Sequence, residues 1–300
     1  GMYSHWYLGQ LGENWSDACA EALSQYGKIL EIPQQTDFYA SKVEHADNRV
    51  FVIISDALRY EVAASLVEQL QRETQSKVNL DSMQGIFPTT TKFGMAALLP
   101  HSSMDLVEKT NGTIGVLTDG MSTDAGYRDK ILKNANESSV ALKYDNIIGL
   151  KRADRQELVK GMDVVYIYHD KIDEASHTAD SAVFPACDDA IDEIKNLVRI
   201  IVNEFGGTKI YITADHGFLY TYNPLTENDK VDSSGFAKSA TEYGRRYVIT
   251  EKDAETDYLL PVKMTDSISS YHAFAPRENV RIKMKGGGLN YVHGGISLQE

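Results

Sequence analysis

Three short stretches of the chain are nearly continuous apolar runs: Val50–Ser55 (VFVIIS), Val164–Tyr168 (VVYIY) and Lys209–Thr213 (KIYIT). A strand packed on both faces reads this way, whereas a half-buried strand alternates. Helical spacing lies around them. Glu61–Arg72 gathers Val62, Leu66, Val67 and Leu70 on one face. Ala186–Glu204 does the same with Ile191, Ile194, Leu197, Val198 and Ile201, until Gly206-Gly207 ends it. Lys92–Leu99 predicts a short helix stopped by Pro100, and Thr113–Leu117 a further short strand. Residues 3–49 read as a mostly helical lead-in, with Asn14-Trp-Ser-Asp17 as a cap before Ala18–Tyr26.

Strands alternating with helices predict an α/β domain, with a mainly parallel central sheet flanked by helices on both faces. Over residues 217–292 the pattern changes to polar stretches, scattered glycines and short alternating segments such as Arg246–Thr250 and Val280–Met284. These predict a smaller inserted cap of antiparallel elements, with Gly286-Gly-Gly288 as a turn or hinge. The organisation expected is therefore a lead-in over 1–49 and a main domain over 50–300 that carries the cap.

Ligands of such sheets bind beyond the carboxyl ends of the strands. The polar residues collect there: Asp56 after the first strand, His169 to Asp173 after the second, Asp215-His216 after the third. Four fragments supply Asp and His at a strand end or a glycine turn: Ser55-Asp56-Ala57, Asp173-Glu-Ala-Ser-His177, Ala214-Asp215-His216-Gly217 and Val292-His293-Gly294-Gly295. Three carboxylates and three imidazoles suit two divalent cations, with zinc favoured by the nitrogen content and manganese or magnesium as alternatives. Asp173 and His177, four apart, share one face of a helical turn. Asp170 is a rival to Asp173 that lacks this spacing. A hydroxyl nucleophile is offered by Phe87-Pro-Thr-Thr-Thr-Lys92, where Thr89, Thr90 and Thr91 each qualify by chemistry; Thr91 opens the predicted helix, whose free N–H groups favour an alkoxide. Arg59 and Lys92 are candidate phosphate contacts. Arg59 is equally a salt-bridge partner on the following helix. His169 and Asp170 are candidates to line the site or support it from behind.

Net charge changes the picture only by exclusion. At −13 the chain lacks the basic surface for a broad grip on nucleic acid. Forty-two per cent hydrophobic and 24% charged residues are ordinary for a globular protein, and no run approaches the roughly 18 apolar residues of a membrane span. Cys19 and Cys187, without CxxC spacing, point to small buried thiols in a reducing, cytoplasmic setting. Gly1 before Met2 and the stop at Glu300 suggest a segment of a longer protein.

The segments VFVIISDALRYEVA, FPTTTKFGMAALLP, YIYHDKIDEASH, ITADHGFLY and VHGGISLQE resemble the PglZ domain of bacterial BREX-type phage defence, a branch of the alkaline phosphatase superfamily. The likeness runs from about residue 30 to the end. It implies an alkaline phosphatase-like fold and a two-metal site. One ion would take Asp173, His177 and His293; the other would take Asp56, Thr91, Asp215 and His216. The FPTxT segment of the superfamily's diesterases selects Thr91 over its neighbours. The activity implied is hydrolysis of a phosphate ester, nucleotide or nucleic acid included, through a covalent phosphothreonine, beside other defence-system proteins and away from membranes. The alternative is a metal-containing scaffold or nucleotide sensor with little or no turnover.

Overall fold

The computed structural model describes residues 7–223, 225–251, 258–265, 268, 270–286 and 290–300. The first six residues, and Gly287 and Gly288 of the expected glycine turn, lie outside the described residues.

The centre is a four-stranded, wholly parallel sheet in the order Ser139–Lys143, Val164–His169, Val50–Ser55, Lys209–Thr213. The three apolar runs are the three contiguous strands at the Lys209–Thr213 side. Side chains alternate between two cores. Phe51, Ile53, Val165 and Ile167 pack against Leu66 and Leu70 of the helix Tyr60–Glu73, and against Ile191, Ile194, Leu197 and Ile201 of the helix Val183–Glu204. Val52, Ile54 and Tyr166 face the other way, onto Phe38, Tyr39, Met95, Leu98, Leu99 and Leu132. Each such aliphatic side chain, fully buried, contributes roughly 1.5–3 kcal/mol. Burial on both faces explains the apolar runs of Val50–Ser55 and Val164–Tyr168, whereas Lys209–Thr213, expected to be buried in the same way, lies at the sheet edge and is only partly covered.

The register levels the strand ends. Ser55 lies opposite His169, and Ile54 opposite both Tyr168 and Thr213. Asp56, Asp170 and Ala214-Asp215 therefore leave the sheet side by side. The edge strand Ser139–Lys143 was not anticipated, because SVALK is only partly covered and offers too few apolar residues for a run.

The lead-in helix is longer than its sequence reading. It runs Leu8–Tyr26 and stops at Gly27 in the left-handed conformation, with φ 68°. Asn14 to Asp17 sit inside it, so they are not a cap. Trp15 Nε1 donates to the Ile296 carbonyl at 2.7 Å, and the Lys263 N–H to the Leu23 carbonyl at 2.9 Å. These tertiary contacts carry the helix through a polar stretch that would end it in isolation.

Within 217–292 the principal element is an antiparallel sheet in the order Ala240–Tyr243, Val248–Thr250, His272–Pro276, Leu259–Val262. Leu219–Tyr220 pairs antiparallel with Tyr291–Val292, whereas Lys230–Val231 and Arg281–Ile282 pair in parallel. The expected strand Arg246–Thr250 begins only at Val248, because Arg246 is wholly buried and bound to the Glu300 carboxylate through Nε at 3.0 Å and Nη2 at 2.8 Å. Cys19 and Cys187 are buried free thiols. Among the described residues no helix is long and apolar enough to cross a membrane.

Candidate active site

Asp56 follows the central strand directly, and the chain turns sharply there: Ala57 has φ 63°, a conformation alanine adopts at a cost. The turn aims the Ala57 N–H at Asp215 Oδ1, 3.1 Å away. The His216 N–H donates to the same oxygen at 2.9 Å. One Asp215 oxygen is thus held by backbone, while Oδ2 is buried with no hydrogen bond, as is Asp56 Oδ1. His216 Nε2 lies 3.3 Å from Asp56 Oδ1 and 3.4 Å from Asp215 Oδ2. Thr91 Oγ1 is 3.2 Å from the same nitrogen. Thr90 is the N-cap residue and makes no side-chain capping bond; Thr91 is the first residue of the helix Thr91–Ala97. Thr89 is tied elsewhere, its hydroxyl donating to the Gly295 carbonyl at 2.8 Å. Of the three threonines, Thr91 is the one hydrogen-bonded to the imidazole of the acid cluster.

The second half of the cluster joins through a ring stack. The His216 and His293 rings lie 3.9 Å apart at 13°. His293 Nε2 faces Asp173 Oδ1 at 3.9 Å, and the Tyr291 hydroxyl donates to that oxygen at 2.9 Å. Both imidazoles are oriented alike. Nδ1 of His216 is 2.5 Å from the Gly217 carbonyl oxygen, and Nδ1 of His293 is 3.1 Å from that of Thr89. A proton on each Nδ1 leaves each Nε2 turned to the carboxylates, the arrangement of metal-binding histidines.

Electrostatics bear the strain expected of crowded acids. Burial, and then the Asp215 carboxylate beside it, push the Asp56 carboxyl up to about 8. Burial alone would lower His216, but Asp215 and Asp56 outweigh it and raise it to about 9. Burial and the neighbouring His216 drive His293 down to about 4. Burial and then Asp173 raise the Asp170 carboxyl. Protons here stand in for missing positive charge.

The ligand atoms gather in three groups, each within 4.8 Å: Asp56, Asp215 and His216; Asp173, His216 and His293; Asp56, Asp170 and Asp173. Orphaned carboxylate oxygens, preset imidazoles and a mixed N/O donor set fit divalent cations.

Several expected residues stand differently. His177 contacts Asp173 at 3.3 Å but its side chain is 76% exposed and belongs to none of the three groups. Its place on the helical turn is as expected; its ring lies at the rim. Lys92 does not face the site: its Nζ donates to the Ile114 carbonyl at 2.8 Å and pairs with Glu242 at 2.6 Å. Arg59 pairs with Glu61 at 2.8 Å and lies 4.8 Å above the Phe218 ring. His169 is buried and fully engaged, with Nδ1 2.8 Å from the Ser55 hydroxyl and Nε2 2.5 Å from Glu193. It braces the strand end and has no nitrogen left for substrate.

Three supporting residues escaped the sequence reading. Gln35, buried, donates to the carbonyls of Asp215 at 2.7 Å and Ala214 at 3.0 Å, and accepts the Ile86 N–H at 3.0 Å. It clamps the Asp215 turn to the segment leading to Thr91. Glu300 accepts the N–H of Gly295 and Ser297 at 3.0 and 3.1 Å and joins the His293 loop to Arg246. Gly94 packs against Asp215. A glycine inside a helical pattern was the one available signal; Gln35 and Glu300 carried none.

Comparison with known proteins gives a consistent picture. The profile of the BREX system PglZ alkaline phosphatase-like domain matches residues 38–300. The alkaline phosphatase-like protein BrxZ of Escherichia coli is 36% identical over the whole chain, and the alkaline phosphatase-like protein PglZ of Bacillus cereus 34%. The chain spans 35% of the length of each. Among solved structures, murine ectonucleotide pyrophosphatase/phosphodiesterase 5 superposes with a TM-score of 0.54 at 12% identity, covering 84% of this chain and 86% of that one. An inactive threonine-to-alanine form of that protein, in complex with AMP, superposes with a TM-score of 0.55 at 11% identity and the same coverage. At these identities the likeness establishes the alkaline phosphatase-like fold.

Proposed function

The chain belongs to the PglZ family of alkaline phosphatase-like domains, and from that premise we propose that it is a metal-dependent phosphoryl-ester hydrolase, with Thr91 as nucleophile, that serves bacterial phage defence. The observation that carries this reading is the Thr91 hydroxyl 3.2 Å from His216 Nε2, beside the unpartnered oxygens of Asp56 and Asp215.

Asp56, Thr91, Asp215 and His216 would hold one divalent cation, and Asp173 and His293 the other, with His177 swinging in from the rim. Zinc is favoured by the imidazoles, and manganese or magnesium are alternatives. Such a pair supplies charge that lowers the hydroxyl's pKa and offsets the negative charge growing on the phosphoryl oxygens.

The protein's own groups do the rest. The helix start presents the Thr91 hydroxyl toward His216 and the acids, a pre-paid orientation. Thr91 Oγ forms a bond to phosphorus as the bond to the ester oxygen breaks, and the leaving alcohol takes a proton. Water then attacks the phosphothreonine, releasing phosphate or a phosphomonoester and restoring the hydroxyl. Asp170 and the rim around His177 are where the substrate would enter. Diesters are favoured over monoesters, in line with the FPTTT segment. The chain would act in the cytoplasm beside other proteins of its defence system.

The test is turnover of nitrophenyl phosphate mono- and diesters and of oligonucleotides by metal-loaded protein. Activity lost in Thr91→Ala, with metal content unchanged, supports the reading. A fully loaded wild-type protein that cleaves none of these substrates overturns it.

A further inference from the structure

We propose that Tyr247 is a positioning residue for this site, a strut that holds the His293 loop at a fixed distance from the helix that carries Thr91. The proposal rests on the metal-dependent reading above and adds to it a residue outside the acid cluster.

The His293 loop needs such a support. His293 is followed by Gly294 and Gly295, and glycine leaves the backbone freer than any other residue. One side of the loop is clipped to Thr89. The Gly294 N–H donates to the Thr89 hydroxyl at 3.1 Å, and the Thr89 N–H to the Gly294 carbonyl at 3.3 Å. The other side meets two consecutive residues from the turn between Ala240–Tyr243 and Val248–Thr250. A Cβ on Gly294, at φ 116°, would fall 2.8 Å from Cδ1 of the Tyr247 ring; one on Gly295 would fall 2.8 Å from Nε of Arg246. Arg246 and Tyr247 thus press on the two glycines in turn. The Tyr247 ring is itself backed by Gly244, where a Cβ would fall 2.5 Å from Cε1, so the ring cannot retreat from the loop.

The far end of the ring leads to the nucleophile helix. The Tyr247 hydroxyl donates to Glu242 Oε2 at 2.8 Å. Glu242 Oε1 accepts Lys92 Nζ at 2.6 Å and the Ile114 N–H at 3.2 Å. Lys92 follows Thr91 directly. One carboxylate oxygen is therefore committed toward each half of the site. Burial, and then Glu242, push the Tyr247 hydroxyl above its ordinary range, which keeps it a donor. The ring also packs against the apolar cluster of Ile86, Phe87 and Phe93, which lie on either side of the threonine run. Tyrosine has only two side-chain torsions, so a ring wedged between two glycines and bonded at its hydroxyl is a rigid spacer.

The spacing it sets is that of the reacting groups. The His293 ring stacks on His216 at 3.9 Å, and Thr91 Oγ1 lies 3.2 Å from His216 Nε2. A displacement of about 1 Å at such a site costs roughly a hundredfold in rate. Supports behind metal ligands carry about 10- to 100-fold in affinity.

The full chain is stripped with a chelator and titrated with zinc, and its binding constants are read by competition with a chromogenic chelator. Tyr247→Ala should weaken one equivalent, that of Asp173 and His293, by about 10- to 100-fold and leave the other unchanged. Tyr247→Phe keeps the wedge on Gly294 and should restore that equivalent. Having lost the bond to Glu242, it should still lower kcat for a nitrophenyl phosphate diester several-fold with KM unchanged. Gly294→Ala, whose methyl drives the loop off the ring, should weaken the same equivalent and replaces Tyr247→Ala where that variant does not fold. Phe274→Leu is the control, since it opens a cavity in the same antiparallel sheet but in a different apolar cluster. It should lower the melting temperature and leave both zinc constants alone. Wild-type constants in Tyr247→Ala, or a loss in Phe274→Leu as large as in Tyr247→Ala, overturns the strut and leaves the hydrolase reading standing. Zinc bound by wild type with no ester cleaved overturns the hydrolase reading, and the zinc constants of the variants still decide the strut. A wild-type chain that binds no zinc overturns both.

Discussion

Gly94 lies directly against the backbone of Asp215: a Cβ at position 94 would fall 2.1 Å from the Asp215 carbonyl oxygen. In an exposed helix, replacing glycine by alanine stabilises by about 1 kcal/mol. Here the added methyl must push the helix Thr91–Ala97 away from the Asp215-His216 turn. Gly94→Ala is therefore expected to destabilise by roughly 1–3 kcal/mol, read from the denaturant midpoint. Turnover at a temperature well below melting should fall as well, since Thr91 moves with the helix. A stabilised variant would contradict this packing.

What could be read from the sequence follows from distance along the chain. The strand Val50–Ser55 was legible because two-sided burial writes an unbroken apolar run; Lys209–Thr213, a partly covered edge strand, was legible from Ile210-Tyr-Ile212 alone, and the two strand ends then located Asp56 and Asp215. The partners of charged side chains were not legible. Lys92 beside Thr91 looks like a phosphate contact until Glu242, 150 residues later, takes it. His169 stands at a strand end like a ligand, but the register brings Ser55 to one nitrogen and the helix Val183–Glu204 brings Glu193 to the other. The same blindness hid Gln35, whose importance lies wholly in three backbone atoms of distant segments.

Gln35 supplies a second prediction. Gln35→Leu keeps most of the volume but leaves the Ile86 N–H and the Asp215 carbonyl without their side-chain partner. An unsatisfied buried backbone group costs about 1–3 kcal/mol. Chemical denaturation should show a loss of that order. Zinc affinity should weaken too, because the clamp between Asp215 and the Thr91 segment is gone. Unchanged stability and unchanged zinc affinity would show that Gln35 does not hold the two halves together.

Lys92 gives a third. Its ion pair with Glu242 is partly buried, with side chains 32% and 14% exposed, and it ties the start of the Thr91 helix to the antiparallel strand Ala240–Tyr243. Lys92→Met and Glu242→Gln should each lower stability modestly, and their double-mutant cycle should give a coupling of about 1 kcal/mol. KM for a phosphate ester should barely move in Lys92→Met. A rise of about tenfold, equal to 1.4 kcal/mol of binding, with an unchanged melting temperature would return Lys92 to the substrate.

The fourth prediction concerns pH, and its sign follows from the two groups that hold protons too tightly. Asp56 rises from an ordinary carboxylate value to about 8, and His216 from 6.5 to about 9. A group whose pKa is raised on folding stabilises the fold below its unfolded value and loses that contribution as pH climbs through its folded value. Both contributions decline together between about pH 6.5 and 8. His293, lowered to about 4, acts in the opposite sense but only below about 6.5. The melting temperature of metal-free protein should therefore fall from pH 6.5 to 9. Cations compete with these same protons, so zinc should raise the melting temperature by an increment that grows over the same range. In His216→Gln both the fall and the growth of the increment should shrink. A metal-free protein equally stable at pH 6.5 and 9, or a zinc increment independent of pH, would show that these acids and this imidazole are not crowded around a cation position.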